Sequence, residues 1–199
     1  MLRNAWFVLL FIMFLTACGG NNILGNNNQN TNKVEEFSYE VEDFTFTNQD
    51  GEEFSKSVLE GKFWIADMIF TNCETVCPPM TANMARLQRM LEEENIDAEL
   101  VSFSVDPTND SPEILKDYIE KRGGTFDNWN ALTGYSDDEI KSFAINSFKA
   151  FIEKPENNDQ VIHVKTFYLV TPDGKAIKRY DGEKADNMEK IVEDIKAMN

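Results

Sequence analysis

The chain contains 199 residues, 42% of them hydrophobic, which is enough for one domain with a substantial core. Its 35 acidic residues outnumber its 19 lysines and arginines, so the formal net charge is -16, and the basic residues form no cluster. A chain with this charge repels phosphate backbones, which excludes nucleic acid as an expected partner.

The N-terminal segment is predicted to be a lipoprotein signal peptide. Arg3 is followed by an apolar run from Trp6 to Leu15 and then by Leu15-Thr16-Ala17-Cys18. This run is shorter than the roughly 20 helical residues that cross a hydrocarbon layer. Its resemblance to bacterial lipoprotein signals implies cleavage before Cys18 and acylation of the Cys18 sulfur, for example by palmitate. We therefore expect a lipid-anchored protein at the extracytoplasmic face of the cell membrane. A plain signal peptide with Cys18 incidental is the alternative.

The segment after Cys18 is predicted to be a flexible tether. Residues 19–36 are rich in Asn and Gly and nearly free of apolar side chains, so they cannot offset the entropy lost on folding. A flexible chain of this length has an r.m.s. reach of roughly 20 to 25 Å. The expected organisation is a signal peptide over residues 1–17, a lipidated tether over 18–36 and a folded domain over 37–199.

Two strand signals open the predicted domain. Residues 44–47 alternate between apolar and polar, and Asp50-Gly51 supplies turn residues, which together predict a β-hairpin. Residues 63–70 are almost continuously apolar, which is typical of a central strand covered on both faces. This strand ends just before Cys73.

A helix and a second strand are predicted after the cysteines. Four apolar residues recur at intervals of four, three and four, namely Met80, Met84, Leu87 and Leu91. They form one stripe of a helix that begins near Pro78 or Pro79. Residues 100–105 read as the next strand, and Ser111 and Pro112 are suited to the N-cap and first position of another helix.

The C-terminal part is predicted to contain two helices and a hairpin. Two capping boxes indicate helix starts, Ser136 with Glu139 and Asp186 with Glu189. Between them, residues 166–170 and 176–180 read as strands joined by a turn at 172–174. The predicted fold class is therefore α/β, a thioredoxin-like sandwich with a central mixed β-sheet flanked by helices and an N-terminal β-hairpin.

Cys73 and Cys77 are the two cysteines that remain if Cys18 carries lipid. An exported pair four residues apart indicates a disulfide, a metal site, or both in turn. The pair lies where a buried strand is followed by a helix, and a helix N-terminus favours thiolate over thiol. In a helical turn, residues at this spacing face the same way, so they could form a disulfide or share one ion.

His163 is the only histidine in the chain, and it comes just before the predicted strand 166–170. In a thioredoxin-like sheet that strand lies beside the strand ending near Cys73, so we expect the two loops to meet. Two thiolates and an imidazole suit Cu(I) and also tolerate Cu(II). Zinc with a bound water and a histidine without a ligand role are the alternatives.

The motifs resemble those of the Sco/SenC family of copper-binding, thioredoxin-like proteins that help assemble the dinuclear copper centre (CuA) of cytochrome c oxidase. The resemblance extends from about Phe44 to Asn199 and is carried by Asp50-Gly51, Gly61-Lys62, Phe70-Thr71-Asn72-Cys73-Glu74-Thr75-Val76-Cys77-Pro78, Ser104-Val105-Asp106-Pro107, Asp110-Ser111-Pro112, His163 and Leu169-Val170-Thr171-Pro172-Asp173-Gly174.

This resemblance implies that Cys73, Cys77 and His163 are copper ligands and that the cysteines cycle between dithiol and disulfide. It also implies a role near the site for Asp106, for which a turn residue before Pro107 is the alternative. Two features depart from the family pattern. Glu-Thr-Val stands between the cysteines where Pro-Asp-Val is frequent, and Val-Lys follows the histidine where small hydroxylated residues are common.

A copper metallochaperone for the CuA centre is the expected function, with the copper-bearing oxidase subunit as partner and a monomer as the expected state. The alternative is a thiol-disulfide oxidoreductase that reduces the oxidase cysteines. Copper is favoured because no proline directly precedes strand 166–170, where thioredoxin-like oxidoreductases usually have a cis-proline. A thiol peroxidase is disfavoured, because Ala66 and Phe70 stand where peroxiredoxins have activating Pro and Thr.

Overall fold

A computed structural model describes residues 35–155 and 160–199. The strands of these residues, in chain order, are β1 (Glu35–Glu40), β2 (Thr45–Thr47), β3 (Glu53–Ser55), β4 (Phe63–Ile69), β5 (Ala98–Ser104), β6 (Trp129–Leu132), β7 (Ile152–Glu153), β8 (Ile162–His163), β9 (Thr166–Val170) and β10 (Lys175–Asp181). The α-helices are α1 (Cys77–Glu93), α2 (Pro112–Glu120), α3 (Asp137–Phe148) and α4 (Asp186–Met198), and a 3-10 helix spans Lys56–Leu59.

The core of the domain is a mixed six-stranded sheet in the order β1-β10-β9-β4-β5-β6. Strands β4, β5 and β6 are parallel, whereas β9 runs antiparallel to both β4 and β10, and β1 runs antiparallel to β10. Strands β2 and β3 form a separate hairpin, and β7 pairs with β8 in a second two-stranded unit. This is the predicted thioredoxin-like α/β architecture.

Helices cover both faces of the sheet, as two neighbouring residues of β9 show. The Tyr168 ring lies 4.9 Å from that of Phe148 on α3. Phe167 points to the opposite face, because successive strand residues alternate. There it lies near Gly182 together with Met80 of α1. Helices α1 and α4 also pack against each other.

The position of the candidate site follows from the pairing of β4 with β9. All seven residues of β4 are buried, as expected for a central strand. In the antiparallel register Trp64 pairs with Val170 and Ala66 with Tyr168. The carboxyl end of β4 and the amino end of β9 therefore lie at the same edge of the sheet, which brings the segments after β4 and before β9 together.

Most predicted elements are confirmed. The β2–β3 hairpin, the central strand, the helix with the Met80 stripe and the strands β9 and β10 all form. Ser111 caps α2, and Ser136 forms a reciprocal capping box with Glu139 at the start of α3. The three acidic residues in the first turn of α3 also complement the positive end of the helix dipole.

The capping box predicted at Asp186 is wrong. Helix α4 has Ala185 at its N-cap with no side-chain capping bond, and Asp186 is already its first helical residue. Strands β6, β7 and β8 were not predicted from the sequence. Strand β1 was not predicted either, and it begins at Glu35, inside the segment expected to be tether.

The predicted signal peptide, Cys18 and the tether up to residue 34 lie outside the described residues. Within the described part of the chain, every helix is too short or too polar to cross a membrane.

Candidate metal centre

Three side chains converge at the sheet edge defined by β4 and β9. The sulfur atoms of Cys73 and Cys77 and a ring nitrogen of His163 all lie within 4.8 Å of one another. Cys77 Sγ lies 3.3 Å from His163 Nε2. The sequence predicted this grouping, and it is the one cluster of candidate metal ligands found among residues 35–155 and 160–199.

The cysteine pair is held by the junction between β4 and α1. Cys73 lies in the connecting loop, where its N–H donates to the carbonyl of Phe70 at 3.3 Å. Cys77 is the first residue of α1, and its N–H donates to Cys73 Sγ at 3.4 Å. Both cysteines are buried, and no disulfide joins these two described cysteines. The N–H of Cys77 lies at the positive end of the helix dipole and stabilises negative charge on the Cys73 sulfur. Pro78 and Pro79 of the same turn have no N–H to donate.

One sulfur of the pair is strongly acidic. The S–H of Cys77 donates to Cys73, and the N–H groups of Cys77 and Thr75 add to this effect, so that the pKa of the Cys73 thiol falls to about 3 despite its burial. The pKa of Cys77 is raised far above its ordinary value, first by the hydrogen bond to Cys73 and then by burial. In the metal-free dithiol, the pair therefore holds one thiolate and one thiol near neutral pH.

The imidazole of His163 presents Nε2 to the sulfurs. Its Nδ1 lies 2.9 Å from the carbonyl oxygen of Val164, which can only accept, so Nδ1 carries the proton. Nε2 is then left with a lone pair. The ring is half-buried and stands edge-on to Phe70, with centroids 5.6 Å apart. A backbone acceptor that fixes the tautomer is common behind metal-binding histidines.

Asp67 is a buried carboxyl group close to this site that the sequence reading did not single out. It lies on β4 with no exposed surface, and its Oδ1 accepts a 2.6 Å hydrogen bond from the hydroxyl of Ser102. Its Oδ2 has no hydrogen-bond partner among the residues that the structure describes. Burial raises the pKa of Asp67 to about 7, opposed by Ser102 and by the electrostatic influence of His163. An acidic residue inside an apolar strand was the available sequence signal.

Asp106, predicted to act near the site, does not belong to the group of ligand atoms. It is fully buried, and its carboxylate accepts from Lys154 Nζ at 2.5 Å and from Asn109 Nδ2 at 2.8 Å. Asp110 is also fully buried and binds Thr71, in the loop that leads to Cys73. The sequence reading placed Asp110 in a motif but gave it no role.

The donor set fits a soft metal ion. Two cysteine sulfurs and one imidazole nitrogen are ligands suited to Cu(I), and the nitrogen also tolerates Cu(II). The two sulfurs are not locked in a disulfide, and the imidazole lone pair already faces them. Zinc commonly completes such a set with a fourth ligand, so the donor types alone do not exclude it.

Comparison with known proteins gives a consistent family match. The family model SCO1/SenC matches residues 32–199. The SCO1 protein homolog of Bacillus subtilis is 51% identical over 188 residues, covering 94% of this chain and 92% of the relative.

Solved structures agree with this match. A SCO1/SenC family lipoprotein from Bacillus anthracis has a TM-score of 0.78 and 50% identity, over 82% of this chain and 96% of that one. BsSco, a member of the Sco family of cytochrome c oxidase assembly proteins with an identified disulfide switch, has a TM-score of 0.74 and 54% identity, with coverage of 81% and 94%. Copper-bound ScoI of Arabidopsis thaliana has a TM-score of 0.67 and 26% identity, with coverage of 79% and 98%.

Proposed function

The chain belongs to the SCO1/SenC family, and from this premise we propose that it is a copper metallochaperone for the CuA centre of cytochrome c oxidase. Copper is the cargo, and Cys73, Cys77 and His163 are its ligands. The copper-bound relative from Arabidopsis and the oxidase assembly family of BsSco support the metal and the pathway. The copper-bearing subunit of the oxidase is the proposed recipient.

The observation that carries the proposal is the convergence of His163 with the cysteine pair. A dithiol reductase needs the two sulfurs, but it has no need of an imidazole lone pair 3.3 Å from one of them. The Nδ1–H of His163 donates a hydrogen bond to the Val164 carbonyl, so Nε2 is available as a ligand without a change of tautomer. The preformed arrangement lowers the entropy lost when copper is bound.

Delivery requires that the site release copper as well as bind it. Cys73 has a low pKa, so one thiolate is present near neutral pH, whereas Cys77 gives up its proton only when the metal binds. His163 is half-buried at the edge of the domain, where a partner's ligands can reach the bound ion. We infer that copper passes to the oxidase by stepwise ligand exchange in a docked complex.

A lipid anchor suits this function. We propose a signal peptide over residues 1–17, a lipid on Cys18 and a tether over 18–36, with residues 37–199 as the copper-binding domain. The relative from Bacillus anthracis is described as a lipoprotein, which supports the anchor. A monomer anchored at the extracytoplasmic face of the cell membrane would stand near the membrane-bound oxidase.

A thiol-disulfide oxidoreductase is the second candidate function, favoured by the low pKa of Cys73 and by the disulfide switch of BsSco. The Cys73 thiolate would attack one sulfur of a target disulfide and release the other as a thiolate. Cys77 would then lose its proton and attack Cys73, releasing the second target thiolate. The target gains two electrons and this chain ends with a Cys73–Cys77 disulfide.

Replacement of His163 by alanine separates the two functions. We expect the purified, reduced wild-type protein to bind one equivalent of copper with thiolate-to-copper charge transfer, seen by absorption and EPR spectroscopy. In His163→Ala the affinity should fall at least tenfold, since even groups that only support a ligand contribute that much. Nitrogen coupling from the imidazole should also disappear from the Cu(II) spectrum.

The matched control is Cys18→Ser, which replaces the one cysteine that is not a proposed copper ligand and should bind copper as the wild type does. Equal binding by His163→Ala and wild type would remove His163 from the site. Undiminished reduction of a model disulfide by His163→Ala, together with an absence of copper binding by the wild type, would favour the reductase.

A further inference from the structure

The loop after β5 carries two fully buried carboxylates, Asp106 and Asp110. The N–H of Asp110 donates to the carbonyl of Asp106 at 3.0 Å, so the two residues are joined by a single helical turn. The Ser104 hydroxyl ties them further, because it donates to Asp110 at 2.6 Å and accepts from the N–H of Asp106 at 3.1 Å. A short hydrogen-bonded unit therefore presents two carboxyl groups inside the domain.

Asp110 holds the loop that leads to Cys73. Its carboxylate accepts from the Thr71 hydroxyl at 2.6 Å and from the Thr71 N–H at 3.2 and 3.3 Å. The hydroxyl of Thr133 also donates to the backbone carbonyl of Asp110 at 2.9 Å. Thr71 stands two residues before Cys73, so its position sets where the chain enters the cysteine loop.

Asp106 holds the segment that carries His163. Its carboxylate is bound by Lys154 at 2.5 Å, and a second carboxylate, Asp137, is 3.9 Å from the same ammonium group. Lys154 directly follows β7, in which Ile152 pairs with His163 of β8. This β7–β8 arm lies outside the main sheet, so contacts with the rest of the domain must fix its position.

We propose that Asp106 and Asp110 form a two-carboxylate clamp that positions the Cys73 loop and the His163 arm relative to each other. The clamp rests on the proposed function, since its purpose is to bring the three ligand atoms together before copper arrives. Neither carboxylate belongs to the ligand group, so both are positioning residues. Supporting contacts of this kind hold ligands in productive geometry.

A test of the clamp that needs no copper uses the ring signals of His163, which NMR assigns directly because the chain has one histidine. In the reduced, metal-free wild type the Phe70 ring should shift these signals away from those of an unfolded chain. We expect Asp106→Asn and Lys154→Met each to move the signals towards unfolded values and to lower copper affinity about tenfold. The double variant, Asp106→Asn with Lys154→Met, should show ring signals and copper affinity no further from wild type than those of the more affected single variant.

The controls separate positioning from general loss of stability. Lys154→Arg keeps the ion pair and should restore both the ring signals and the affinity. Lys62→Met breaks an ion pair with Glu99 at the far end of β4 and should change neither. Asp110→Asn should leave the His163 signals closer to those of the wild type than Asp106→Asn does. It should increase the alkylation rate of Cys73, which is buried while Asp110 binds the loop.

Unchanged His163 signals and unchanged copper affinity in both Asp106→Asn and the double variant would overturn the clamp. Equal effects of Lys62→Met and Lys154→Met would also overturn it, because the change would then reflect stability alone. If the ring signals move as expected but the wild type binds no copper, the clamp stands and the proposed function fails.

Discussion

Cys77→Ala is expected to raise the pKa of the Cys73 thiol by several units and to abolish tight copper binding. In the wild type this pKa is about 3, and the S–H of Cys77 is its largest cause. Alanine removes that donor and one of two thiolate ligands. A pH series of the thiolate ultraviolet absorbance should show a Cys73 thiolate already at about pH 5 in the wild type, but only towards the ordinary pKa of about 8.5 in the variant.

The reciprocal variant provides the control. Cys73 is the first cause of the high pKa of Cys77, so Cys73→Ala should lower the pKa of Cys77 while also removing copper binding. Identical thiolate profiles in the wild type and Cys77→Ala would show that the low pKa of Cys73 arises elsewhere, in the backbone N–H groups at the helix N-terminus. Copper binding retained by Cys77→Ala would exclude Cys77 as a ligand.

The sequence predicted the parts of the fold that carry strong local signals. The apolar run of β4 is typical of a strand buried on both faces, and the Met80 stripe has the period of a helix. Short strands without such a pattern were missed. Strand β1 pairs with β10 at the edge of the sheet, and nothing in its own residues shows that partner. At α4 a polar residue in the right place was mistaken for the N-cap, although the backbone had already become helical there.

For the site, the sequence predicted which residues meet but not what holds them. Cys73, Cys77 and His163 were grouped because neighbouring strands of this fold bring their loops to one edge. The contact between Asp106 and Lys154 joins residues far apart in the chain, through an arm that was not predicted. Asp67 was passed over because alternation along a strand shows which residues are buried, but not whether a buried carboxyl has a partner.

Asp67→Asn is expected to stabilise the metal-free, reduced protein at high pH. The pKa of Asp67 is raised to about 7 in the folded state from an ordinary 3.8, mainly by burial. When the pKa of an acid is higher in the folded than in the unfolded state, its contribution to stability is fully present below the pKa of the unfolded state. That contribution is lost as the pH rises through the pKa of the folded state. Asparagine resembles the protonated acid and does not ionise. The difference in free energy of unfolding, Asp67→Asn minus wild type, should therefore increase by roughly 3 kcal/mol from about pH 5 to about pH 8.

Denaturant unfolding at several pH values measures this difference, and Asp97→Asn is the matched control. The Asp97 side chain is 83% exposed and 3.7 Å from Lys62, an arrangement that contributes little to stability, so its replacement should leave the pH profile unchanged. A constant difference between Asp67→Asn and wild type over this range would mean that Asp67 is already ionised in the folded protein at about pH 5. Its Oδ2 would then require a donor that stabilises the charge, because an unpaired carboxylate within a buried strand would otherwise take up a proton.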